Sequence, residues 1–235
     1  MEIVDLENGY YLKPYTYTNG ITKLRKSKKF CGVGIMDADY NVEFTDNGKR
    51  KHCPFYLKWC NMIKRCYYEK YRHISITYYD CYVCDDWLVF SNFKKWMEKQ
   101  DWVGKQLDKD LITSKNKVYG PETCCFVSSE INNLVNRDKI GNSELPLGVW
   151  YKNKSKGMIN ERTNPFVAEI KPRNVKISKH FNNPEDAHRF WQKLKIETIL
   201  KYIESETDEK IKNALIRIVD KLKFEYNNNL ITEGL

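Results

Sequence analysis

The stretch from Leu107 to Leu134, LDKDLITSKNKVYGPETCCFVSSEINNL, reads as two short strands and a helix that carry acids and asparagines but no histidine. Carboxylates and amides in that setting suit phosphodiester chemistry, yet the side chain most often used as a general base is missing. The stretch therefore asks whether the chain cuts nucleic acid or only grips it. A second concentration lies further on. Between Leu147 and Asn182 stand eight Lys or Arg (152, 154, 156, 162, 171, 173, 176 and 179) against two acids, so this segment holds +6 of the chain's net +9. Charge gathered so densely is the footprint of a polyanionic partner or, more plainly, of a charged, solvated sheet face.

Cysteine offers a third kind of chemistry. Cys81 and Cys84 form a CxxC, with His52, Cys53, Cys60 and Cys66 upstream and Cys124–Cys125 downstream. A zinc site wants four converging ligands, usually as two close pairs, and a second tight pair is absent. Buried thiols are therefore expected rather than a structural zinc. The acidic, polar N-terminus does not resemble a signal peptide, so reduced thiols and a cytoplasmic setting follow.

The elements that must position these groups can be read from patterning. A chain of 235 residues with 41% hydrophobic and 14% aromatic residues can bury a real core, with two small domains expected. No apolar run is long enough to span a membrane. Residues 1–50 read as strands and loops; the basic run Thr22–Phe30 is either a solvated loop or a DNA contact, and CGVGIMDADYNVEF alternates like a hairpin. Pro54 opens a helix whose apolar stripe is Leu57, Met62, Ile63, Cys66 and Tyr67, with Lys58, Lys64, Arg65, Lys70 and Arg72 on its outer surface. ISITYYDCYV alternates like a strand. A second helix, capped by Asp85 or Asp86, carries Trp87, Phe90, Phe93, Lys94 and Met97. Three β runs, LGVWY, FVAEI and VKISKHF, precede a helix that begins at Asn-Pro-Glu-Asp with Pro184 in its first turn. With that helix on one face of the sheet, the other face is free to carry some subset of Trp150, Lys152, Arg162, Lys171, Arg173 and Lys176. A last helix over 206–226 gathers Ile211, Leu215, Ile218, Val219 and Leu222 on one stripe, to pack on the body or on a second copy.

The run GVGIMDADY … CPFYLKWCNMIKRCYYEKY … YYDCYVCDDWLVFSNFKKWM … LDKD … NKVYGPETCCFV … IN resembles the HNH-type homing endonucleases of bacteriophages. LPLGVWYKN … FVAEI … FNNPEDAHRFWQKLK is similar to an AP2-type DNA-binding domain, which frequently follows such nucleases; together the two cover about residues 30–200. The resemblance implies an α+β protein. A ββα-metal (HNH-like) module fills 1–140 with its N-terminal extension, a three-stranded sheet plus helix (AP2-like) module fills 145–204, and a C-terminal helix and tail fill 205–235. The partner implied is double-stranded DNA, and monomer or homodimer stays open.

Such nucleases hold one divalent ion, Mg²⁺ or Mn²⁺, on the scissile phosphate, while a histidine activates water as the base and a central asparagine orients that base. Here the histidine strand reads Asp108-Lys109-Asp110, Thr123 stands at the central asparagine, and Asn132 or Asn133 matches the last ligand. The four histidines (52, 73, 180 and 188) lie elsewhere. Three readings follow. Asp108, Asp110 and Asn132 hold the metal while Lys109 stabilises charge on the phosphate. Or the site is a relic within a DNA-binding protein. Or the basic face binds a host protein or RNA, in the host cytoplasm if the chain is phage-encoded.

Overall fold

A computed structural model describes residues 3–6, 8–16, 18, 20–74, 78–136, 144–152, 163–172 and 175–235. In chain order these form β1 (Val4–Leu6), β2 (Tyr10–Thr16), β3 (Thr22–Lys28), β4 (Glu43–Asp46), β5 (Lys49–His52), α1 (Pro54–Tyr67), α2 (Glu69–Ile74) and β6 (Tyr82–Val83). There follow α3 (Asp85–Leu88), α4 (Phe90–Met97), β7 (Gln106–Asp108), β8 (Val118–Tyr119), β9 (Cys125–Val127), α5 (Ser129–Asn136), β10 (Val149–Tyr151), β11 (Phe166–Ile170), β12 (Ile177–Phe181), α6 (Pro184–Ser205) and α7 (Glu209–Asn227). The fold is thus mixed α+β, built on several small sheets. No described helix is long and apolar enough to cross a membrane. The chain divides into two compact units, 1–103 with 115–126, and 104–114 with 127–235.

In the first unit β2 and β3 pair antiparallel over their whole length, from Tyr10↔Lys28 to Thr16↔Thr22, so most of the basic run is strand rather than loop. β1 reaches only Tyr10–Leu12 of β2. The hairpin expected within residues 31–44 lies later. Residues 31–34 make a turn, and β4 and β5 close around Asn47 and Gly48, both at positive φ. Asn-Gly is the pair that a tight turn of this hand prefers.

The helix α1 begins at Pro54 as expected and buries Trp59, Cys60, Met62, Ile63 and Cys66. Leu57, expected in that stripe, is exposed, and Trp59 takes the central place. Its cations do not form an outer row either. Lys58, Lys64 and Arg65 are half-buried, each within 6 Å of an aromatic centroid: Phe126 at 5.9 Å, Phe30 at 5.7 Å and Tyr78 at 5.8 Å respectively. Lys70 is exposed, and the side chain of Arg72 lies outside the described residues.

Two further expectations change. Of the strand read over ISITYYDCYV, Tyr82–Val83 is strand, while Ile74 ends α2 and Tyr78–Asp80 turn; residues 75–77 lie outside the described residues. The single helix after Cys84 is two. Val89 is extended (φ −93°, ψ 122°) and bridges Ile35 through Ile35 N–H to Leu88 O and Phe90 N–H to Ile35 O. A β-branched residue tolerates that extended geometry well. Cys84, with no side-chain cap, occupies the N-cap, and Asp85 and Asp86 lie in the first turn, where the helix dipole favours them. Trp59, Trp87, Phe90, Phe93 and Met97 are fully buried around this break, and Trp59 Nε1–H donates to Trp87 O at 2.8 Å. Their rings pack edge-on, 5.7 Å apart for Trp59–Phe90 and 5.1 Å for Trp87–Phe93.

In the second unit β10, β11 and β12 form an antiparallel sheet in that order, with Trp150↔Val167 and Val167↔His180 in register. Asn183 caps α6, its Oδ1 accepting Asp186 N–H at 2.7 Å, and Pro184 sits at the first turn. Alternate residues of a strand face opposite sides. Phe181 on β12 meets Phe190 on α6 at 5.5 Å, which assigns Val149, Phe166, Ala168 and Ile170 to the helix-covered face as well. α7 buries all five residues of its expected stripe and packs on α6. The segment after α7 is tied back: Gln192 Nε2–H donates to Leu230 O and to Thr232 Oγ1, each at 3.0 Å.

Candidate nucleic-acid interface and the Asp108–Asp110 turn

The chain leaves β7 through a turn that Asp108 shapes. Its Oδ1 accepts the backbone N–H groups of Asp110 (2.9 Å) and Leu111 (2.7 Å), the short-range bonding by which aspartate favours turns. Lys109 is buried, 4% exposed, and its Nζ lies 2.6 Å from Asp110 Oδ1. Arg217, from α7, closes the same turn by donating to Leu111 O (2.9 Å) and Ile112 O (2.8 Å). Asn132, on α5, donates through Nδ2 to Gln106 Oε1 at 2.5 Å and accepts Asn136 Nδ2–H at 2.8 Å. The amide therefore ties the helix to the start of β7. Thr123 donates to Val118 O at 2.8 Å and holds its own turn. Among the described residues no three His, Cys, Asp or Glu gather as a metal would require. What the turn supplies is two carboxylates within three residues, each with one oxygen already engaged.

The cysteines are mostly interior. Cys60, Cys66, Cys81, Cys124 and Cys125 are buried and Cys31, Cys53 and Cys84 half-buried. Burial pushes the Cys60 thiol up to about 11 and raises Cys31 and Cys84 as well, so these three stay protonated at neutral pH.

The sheet gives a different picture. On the face opposite α6 lie Trp150, Val167, Glu169, Ser178 and His180. Trp150 is 56% exposed, although one of the largest apolar side chains in the unit. Glu169 accepts from two sides, from Lys171 Nζ at 3.1 Å and from Lys176 Nζ in a closer pair. Burial alone would raise its carboxyl pKa, but the bonds and charges of Lys176 and Lys171 outweigh that and hold it below the usual carboxylate range. Trp150, Lys171 and Lys176 thus converge on one face, as the sequence suggested, through a glutamate that the sequence reading passed over. Lys152 is exposed directly after β10, and Arg162 and Arg173 lie outside the described residues. Lys179 belongs to the other face, 5.5 Å from the centroids of both Phe181 and Phe190.

Beside Trp150 opens a cavity of about 360 Å³, lined among others by Glu130, Asn133, Glu169, Lys171 and the buried Lys195. Asn133, the alternative last ligand of the resemblance, therefore belongs with Trp150 and Lys171. His180 Nδ1 lies 3.2 Å from Asn164 O, and the buried His188 is bonded to Leu147 and Thr232.

Compared with family models, with curated proteins and with solved structures, the chain matches none.

Proposed function

We propose that the chain is a sequence-directed double-stranded DNA-binding protein of the homing-endonuclease kind, and that the open face of the β10–β12 sheet reads the DNA. One observation carries this reading. A three-stranded antiparallel sheet closed on one side by a helix keeps an exposed tryptophan and two glutamate-aligned lysines on the other. A sheet of this width enters the major groove, where lysines hold phosphates and a flat apolar ring meets sugar or a thymine methyl. Residues 145–204 are then an AP2-like module, in which Lys152 adds a phosphate contact and Arg162 and Arg173 are the candidates for base edges. Removing a cation that holds phosphate weakens binding to every sequence equally; removing one that reads a base edge relaxes specificity.

Cleavage is the second reading, favoured by the placing of Asp108 and Asp110 on one tight turn after β7, in the strand–strand–helix order of an HNH-like module. The donor set fits one Mg²⁺ or Mn²⁺ only through the second oxygens of these carboxylates. When bound, such an ion polarises the scissile phosphate and lowers the pKa of its water. Lys109 pairs with Asp110, and Asn132 ties α5 to β7.

The test combines binding with cutting. Supercoiled plasmid is incubated with Mg²⁺ or Mn²⁺ and the native chain or an Asp108→Asn/Asp110→Asn double variant, while duplex binding is titrated with salt. Asparagine keeps an acceptor oxygen for the turn but removes the charge. Cutting that vanishes in the double variant while binding survives supports both readings. Salt-sensitive binding without cutting leaves the DNA-binding protein alone, and the absence of salt-sensitive binding overturns the proposal.

A further inference from the structure

The β2–β3 ribbon carries charge of a different kind from the sheet. Lys13 on β2 and Lys23, Arg25, Lys26 and Lys28 on β3 give five cations on two seven-residue strands that hold no acid. Among the described residues none of the five is paired with a carboxylate; the neighbouring Lys29 takes Asp5 at 2.5 Å. Two are braced by rings instead. Lys26 Nζ sits 4.3 Å from the Tyr10 centroid and the Arg25 guanidinium 5.4 Å from that of Tyr15. A ring steadies a cation without cancelling it, so the charge remains available to a partner.

The ribbon also outruns its support. β1 begins opposite Leu12, and among the described residues β2 and β3 pair only with each other beyond that point, with the Thr16 and Thr22 hydroxyls hydrogen-bonded at 2.8 Å near the tip. Tyr15 (41% exposed), Leu24 (41%) and Ile21 (50%) stay in water along this part. At its root it is firmly set: Tyr11 is buried, with its hydroxyl bonded to the backbone of Met36, and Lys13 Nζ donates to Met36 O at 3.3 Å. An isolated two-stranded ribbon is marginal in water. One anchored at the root, apolar in part and uniformly basic fits a surface that is anionic and grooved.

We infer that the β2–β3 ribbon is a second DNA-contacting element, lying in the major groove of duplex DNA with Lys23, Arg25, Lys26 and Lys28 on phosphates. Two strands about 4.8 Å apart with their side chains match a groove about 12 Å wide. Seven residues reach about 24 Å, some two-thirds of a helical turn. The inference rests on the DNA-binding reading but not on the sheet's part in it.

The test uses the full chain and a mixed-sequence duplex of about three helical turns. Binding is followed by fluorescence anisotropy across a salt series for the native chain, a Lys23→Gln/Arg25→Gln/Lys26→Gln/Lys28→Gln variant and a Lys171→Gln/Lys176→Gln variant. Each phosphate that is no longer neutralised takes about 0.9 from the slope of log K on log salt, so the slope of the four-cation ribbon variant should be shallower by about 3.6. Separately, acetylation of the native chain should be slowed by DNA at Lys23, Lys26 and Lys28, a readout that needs no variant. An unchanged slope with unprotected lysines overturns the ribbon inference while leaving the sheet reading intact. A native chain that binds no duplex overturns both.

Discussion

The ribbon and the sheet are both small antiparallel platforms rich in lysine, but they treat their cations in opposite ways. On the sheet, Lys171 and Lys176 share the single carboxylate of Glu169, so two positive charges present themselves as about one and in a fixed place. On the ribbon, Lys26 and Arg25 lean on tyrosine faces and keep their full charge. Partly neutralised cations suit a surface that must choose among sequences, since attraction to every phosphate is reduced. Fully charged ones suit a surface that must hold any duplex. On the DNA-binding proposal the contrast divides selectivity from grip, and it can be broken in graded steps.

The largest effect should come from Gly148→Ala. Gly148 has φ +76°, and a Cβ there would stand 2.1 Å from Trp191 Cδ1, inside the packing between the sheet and α6. Overpacking and backbone strain together cost about 3 kcal/mol. Urea denaturation should show the second unit unfolding early, with the ribbon's salt-dependent grip persisting after sheet-dependent selectivity is gone.

Next in size is a pH effect confined to the sheet's unit. Thr232 N–H donates to His188 Nε2 at 3.0 Å, so the imidazole is neutral, and its Nδ1–H donates to Leu147 O at 2.8 Å. Burial holds its pKa below the ordinary 6.5, more than the Leu147 bond and the Glu225 charge pull it back. The unfolded chain therefore binds the proton more readily. The stability contributed is complete above about pH 6.5 and declines as pH falls toward the lower folded value. A melting series over that window should lose this slope in His188→Gln.

Glu169→Gln tests the contrast directly. It releases Lys171 and Lys176, so affinity for random duplex should rise about tenfold and the salt slope steepen by about 1 to 2, while preference for any cognate site narrows. Unchanged random-duplex binding would mean that the glutamate does not restrain the lysines. The smallest change should follow Tyr15→Ala, which removes the ring under Arg25; an exposed cation–π contact is worth about 0.5–1 kcal/mol, a two- to five-fold loss of affinity by anisotropy.

What could be read from the chain depended on how local its cause was. The start of α6 was legible because Asn183 and Pro184 act within one turn, and the α7 stripe because its period is its own. The division of α3 from α4 was not, since Val89 is held extended by Ile35, far earlier in the chain. Leu57 likewise fitted the helical period, but the burial of Trp59 decided which face turned inward. In the site, Trp150 and the lysines were visible as types at strand spacing. Glu169 was not, because its pairing with Lys171 and Lys176 depends on where the strands end. Asp108 was visible as an acid, but its engagement with two backbone N–H groups belongs to the turn's geometry.

The fit of Gly148 against Trp191 reaches beyond stability, into how such a chain can change over evolutionary time. Both the indole across from it and its φ of +76° stand against a Cβ, so position 148 disfavours every other amino acid even where something smaller replaces Trp191. Among relatives of this chain, residue 148 should therefore stay glycine even where residue 191 changes. Glycine two residues before an exposed aromatic, matched to a tryptophan on the helix behind, would then mark the same platform in chains whose charges have been wholly rewritten.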